Sequence, residues 1–186
     1  MAFFARWKAE RALQRKAATF VDALFRDPDL SDVEWLSQAA TRNDVDHARW
    51  ELRYARRALG LIAAQRDALD DRTASIVARA MSDAFGRDQN IAAGMIDTSE
   101  RQFNARLSAY RDGLAAKAGA PTAIRMGQTL FAFAGGSFSK QDANIVRAGE
   151  LLGTYLSEAN DALRKSFGVP VLPEFIAPSA LASHDV

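Results

Sequence analysis

Cysteine is absent from the 186 residues, and histidine occurs only at positions 47 and 184. Without thiols there is no disulfide, no cysteine nucleophile, no zinc–thiolate site and no iron–sulfur ligation. One internal histidine does not furnish the usual transition-metal ligand sets, so neither a metal nor any other cofactor is expected. Long apolar runs are missing too. The longest stretch without a charge, Met126 to Ser139, has 14 residues, short of the roughly 18–20 that a membrane-spanning helix needs. Arg6, Lys8, Glu10 and Arg11 interrupt any apolar signal-peptide core. A cytoplasmic address is expected. No segment alternates with period two, so strands are not expected.

What is present is ordinary globular material. Apolar residues make up 48% and charged residues 25%, and a chain of this size buries roughly 70% of its unfolded surface. The net charge of +1, from 24 basic and 23 acidic side chains, provides no concentrated positive field, so nucleic acid is not an expected partner. Arginine exceeds lysine 19 to 5, an imbalance read as codon usage rather than function.

Helical periodicity dominates, and the expectation is an all-α, single-domain bundle of six to eight helices over residues 1–168. Helix one, 2–26, is halted by Asp27-Pro28, since a residue before proline avoids the α region. Ser31 and Glu34 have the spacing of a capping box opening a helix to about 40. Thr41 or Asn43 is expected to cap a long helix to about 69, with a stripe through Val45, Ala48, Leu52, Ala55, Leu59, Ile62 and Leu69. Further helices are expected at 73–85, weakly at 89–96, at 99–118 behind a Thr98 cap, and at 121–134, which is apolar all round and reads as the central helix. Ser139 and Asp142 open the last, to about 167. The tail, 169–186, sets Val169, Val171, Leu172, Phe175 and Ile176 among Pro170, Pro173 and Pro178, which suits an extended apolar segment with a loose end.

Constellations that hint at chemistry fail on spacing. Asp44, His47 and Glu51 resemble half of a dimetal helix motif whose second half is absent. Asp27, Asp29 and Ser31 open like a calcium loop, but Asp32 and Gln38 stand where glycine and glutamate are required. Gly135 to Lys140 lacks the Gly-Lys-Ser/Thr ending of a phosphate loop. No catalytic residue is nominated, and the chain reads as non-enzymatic.

Three features remain. Arg49, Arg53, Arg56 and Arg57, interleaved with Trp50 and Tyr54, form a candidate secondary basic patch. The preferred account is that they run along the core edge and pair with neighbouring acids. Gly149 and Gly153 form a small-xxx-small step that predicts a close helix contact, with a homodimer interface or room for a flat ligand as the other readings. The first 16 residues carry five basic side chains against one acid, and three large aromatics within the first seven positions. Phe3, Phe4, Trp7, Lys8, Arg11 and Arg15 are the candidate docking residues, because Phe and Trp with basic charge suit a helix lying in a membrane interface or in a partner's groove. The competing reading folds these aromatics onto the domain. The functional expectation is therefore an adaptor, assembly factor or peripheral subunit that binds a protein, or an anionic membrane at its inner face, through helix one. The alternative is a small-molecule-binding domain with an apolar pocket between the last two helices.

Overall fold

Helix α3, Val45–Asp67, organises the molecule. From Glu51 to Ala64 every residue except Arg56 is fully buried, so this helix has no solvent face along its middle. A helix buried all round must be covered on every side, and the other six do this: α1 (Ala2–Leu24), α2 (Leu30–Ala39), α4 (Asp71–Phe85), α5 (Ile96–Ala115), α6 (Thr122–Ala134) and α7 (Ala143–Phe167) each contact α3. The computed structural model describes residues 2–67, 70–137 and 142–169, without the side chains of residues 2–5. Among the described residues the architecture is an all-helical, single bundle-like arrangement without strands. No described helix is long and apolar enough to cross a membrane.

The central position belongs to α3 and not, as the apolar composition of 121–134 suggests, to α6. Helix α6 buries Met126, Gly127, Leu130, Phe131 and Ala134 and leaves Thr122, Ala123 and Ala132 exposed. Small and apolar residues on its outer side raise its hydrophobicity without requiring a neighbour there.

Several helix starts differ from the cap residues expected. Helix α2 begins at Leu30 behind an extended Asp29, with no side-chain cap bond. Ser31 thus lies inside the first turn and forms no capping box with Glu34. Arg42 and Asn43 both take positive φ, 56° and 66°, and make the turn into α3. The cap is then Asp44, whose Oδ1 accepts from the His47 amide at 3.0 Å. Thr98 lies within α5, which grows directly out of a 3-10 turn at Ala93–Met95, and residues 89–92 before it form turns rather than the expected weak helix. A preformed turn needs no side-chain cap. Asp70 caps α4 through the Thr73 amide, and Asp142 caps α7 through that of Asn144. Leu69, Ser139 and the tail from Pro170 onward lie outside the described residues.

Helices α6 and α7 touch backbone to backbone. A Cβ built on Gly149 would overlap the Ala123 carbonyl, and one on Gly127 would overlap that of Ile145. Gly149 therefore sits in a helix crossing that needs a bare backbone. Gly153 takes no part: it is exposed, with no atom within 4 Å of a built Cβ. Helix α6 begins at Thr122, next to the Ala123 that Gly149 meets, so one turn further along α7 it places nothing against Gly153. Gly149→Ala should cost about 1–3 kcal/mol by forcing the crossing apart. Gly153→Ala should stabilise by about 0.5–1 kcal/mol, because it replaces an unneeded helical glycine. Urea unfolding of both variants measures the contrast.

Candidate functional site

The two halves of α1 have different environments. From Ala17 onward the stripe Ala17, Phe20, Val21 and Leu24 is buried in the core. Residues 6–16 include no buried residue, and only Glu10 and Leu13, in register with that stripe, are half-covered. Trp7, Lys8, Arg11 and Arg15 recur three and four apart on the outer side of the helix, and all are exposed. Trp7 is 49% exposed, with the Arg11 guanidinium 4.2 Å from its ring centre. An ion pair from Glu10 to Arg72 at the start of α4 ties this half of the helix to the body. Phe3 and Phe4 continue the helix, but their side chains lie outside the described residues.

The four arginines of α3 do not form a surface patch. Arg57 is 1% and Arg53 6% exposed. Arg53 pairs with Asp27 at 2.6 Å and lies 4.8 Å over Trp50. Arg56 donates to Glu158 at 2.6 Å and to the Arg26 and Asp27 carbonyls, and stacks on Tyr155 at 4.5 Å. Arg49 is half-buried and 4.0 Å from Asp46. The charges of Arg53, Arg56 and Arg57 are thus taken up inside the fold, so the basic patch is corrected to an internal framework with Arg49 at its edge. The metal-like trio is likewise committed elsewhere. Glu51 is buried, and both its oxygens accept from Arg106, which itself stacks on Tyr54 and Phe133. His47 reaches only the edge of that carboxylate, at 3.4 Å.

Arg57 is the most enclosed member of the framework. Its guanidinium lies 3.8 Å from the Phe25 ring centre and 5.0 Å from that of Phe85, and Nη2 donates to Asp88 at 2.7 Å. Among the described residues Nε and Nη1 have no hydrogen-bond partner. Burial lowers the Arg57 pKa, and Asp88 opposes that shift. Burial also disfavours the Asp88 carboxylate, but two bonds from Asn90 and the Arg57 charge outweigh it and hold Asp88 below its ordinary value.

The pocket expected between the last two helices is not formed near Gly149, where backbone contact fills the space. A cleft of about 540 Å³ opens instead between the end of α1, Arg56 and α7. No motif marks it, because its walls come from three separate segments, residues 19–29, Arg56 and residues 155–166. No protein-family model, curated protein or solved structure matches the chain.

Asp88→Asn should destabilise the fold by about 3–5 kcal/mol, since it strands a buried guanidinium. The native pKa of Asp88 is depressed, so its contribution is complete above the ordinary carboxylate value of about 4 and fades as pH falls through the lower folded value. Thermal unfolding between neutral and acid pH should show the wild type converging on the variant only at the acid end.

Proposed function

We propose that this chain is a non-enzymatic interaction protein that docks on an anionic membrane surface through the first half of α1. The observation that carries this reading is that residues 6–16 contain no buried side chain while the same helix is core from Ala17 onward. Eleven helical residues extend about 16 Å. Over that length the helix presents Trp7 among Arg6, Lys8, Arg11, Arg15 and Lys16, all exposed. Tryptophan sits well at the headgroup level, and each Lys or Arg near an anionic leaflet contributes about 1 kcal/mol. A protein groove selects a row of apolar anchors at i, i+3, i+4 and i+7. Here the large side chains exposed after Trp7 are the basic Lys8, Arg11, Arg15 and Lys16, and the apolar ones are only the small Ala9 and Ala12, which favours the lipid surface over a groove. A homodimer through Gly153 has less support, because a single exposed glycine offers no self-complementary surface.

The test compares the full chain with a variant lacking residues 2–12, using vesicles with and without phosphatidylserine. The full chain should sediment with anionic vesicles only and be released as salt rises, because exposed charges are screened. Its tryptophan emission should shift to the blue on binding, and Trp7→Phe should abolish that shift. The truncated chain should unfold within about 0.5 kcal/mol of the full chain and lose the vesicles. A truncation that costs several kcal/mol would make the segment core and end the proposal. Binding to an acidic protein but to no vesicle would replace the membrane with a protein partner.

A further inference from the structure

The cleft between α1 and α7 lies apart from the docking half of α1. Phe20 meets Phe167 with ring centres 6.4 Å apart, and Arg56 joins the Asp27 carbonyl to Glu158. The two helices therefore run antiparallel along it. Its floor is Leu24 and Ala159, both buried, flanked by the half-covered Ala23 and Ala162. Three alanines, where longer side chains would close the gap, leave an apolar trough. The rim selects no charged ligand. Arg56 pairs with Glu158 and Arg53 with Asp27, while Arg26 and Lys165 share the rim with Asp29 and Asp161, so both signs are interleaved. An occupant is chosen by apolar side chains that fill the trough.

The chain carries such side chains directly onward from α7. Lys165 and Ser166 line one end of the cleft, and α7 stops at Phe167. Gly168 takes φ 93°, in the left-handed region that turns a chain off a helix axis. Val169 is then 72% exposed, a large apolar side chain left in water. The sequence continues Pro170-Val171-Leu172-Pro173-Glu174-Phe175-Ile176, with Glu174 its one charge. Its two prolines favour an extended backbone and remove two N–H groups, so few backbone partners are needed in a groove between helices. The dimensions agree. Ala162 lies about 8 Å and Tyr155 about 18 Å back along α7 from Phe167. Leu172 and Phe175 reach about 9 and 19 Å past Val169 in the extended helix that proline favours, and its three-residue turn puts both on one side.

We infer that the cleft is the seat of the chain's own residues 170–176, which fold back from Gly168 and lie extended along α7 with Leu172 and Phe175 toward the alanine floor. The attachment carries much of the energetics. A segment on a short tether has an effective concentration in the millimolar range, so contacts too weak to hold a free peptide suffice to hold this one. Seated there, the segment closes the cleft to other ligands.

The chain has no cysteine, so engineered pairs report this contact in the full protein without background. Under a mild oxidant, Leu172→Cys with Ala162→Cys should form an intrachain disulfide. Arg164 lies within a turn of Ala162 but outside the cleft lining. Leu172→Cys with Arg164→Cys should close at least about tenfold more slowly, a difference within what burying one large apolar side chain supplies. Adding Phe175→Asp to the first pair should remove that advantage, and it alters no residue of the described core. Where Ala162→Cys changes the circular dichroism, Lys165→Cys, at an exposed lining position, takes its place with Val171→Cys. Equal rates for the cleft and control pairs, a cleft-pair rate unchanged by Phe175→Asp, or a disulfide that joins two chains overturns the proposal. None of these outcomes bears on vesicle binding, which rests on residues 6–16.

Discussion

A guanidinium that has left water constrains the rest of this structure. Arg57 is almost fully enclosed, yet among the described residues it has one charged partner, Asp88, and aromatic faces where its Nε and Nη1 find no acceptor. Arginine does not escape such a site by losing its proton, so the surroundings must accommodate the charge. Four segments do so together: Phe25 just past α1, Trp50 on α3, Phe85 at the end of α4, and the loop carrying Asp88. The approach of α1 and α4 to the central helix is thus tied to one cation, and the loop after α4 is held against α3 by the same group.

The pattern repeats at lower burial. Arg106 grips Glu51 with two bonds between aromatic rings from α3 and α6, Arg53 lies over Trp50 while pairing with Asp27, and Arg147 lies over Trp35. A flat guanidinium can stack on a ring and bond a carboxylate in its plane at once, whereas an ammonium cannot. The excess of arginine over lysine, read from composition as codon usage, therefore includes at least these positions where lysine would fit poorly. Net charge near zero and a heavily charged interior are compatible because each buried cation has an acid assigned to it.

The same physics separates the two halves of α1. Its second half is packed by α3, α4 and α7. Its first half has the residues of a surface helix and, among the described residues, one ion pair to the body, Glu10 with Arg72. The helix runs on through this half, and its described basic side chains and Trp7 are exposed. That separation also sets the exposed half of α1 apart from the cleft, which lies at the opposite end of the same helix.

Helix number, order and most lengths were legible in the sequence, because periodicity and breakers such as Asp27-Pro28 and Gly168 act over a few residues. The exposed character of Trp7, Lys8, Arg11 and Arg15 was not settled there, because aromatics among basic residues suit both an outward helix face and one folded onto the domain. The starts of α2, α3 and α5 were not, since a cap depends on backbone angles that Arg42, Asn43 and the turn before Ile96 settle locally in space. Nor did spacing distinguish Gly149 from Gly153, which differ only in what the opposing helix places against them. Whether Arg53 and Arg57 faced water or the core was decided by Asp27 and Asp88, 26 and 31 residues away along the chain. Local pattern determines which segments become helices. The partner of a buried charge and the space between two helices are set by packing among distant segments, and only the tertiary structure brings those together.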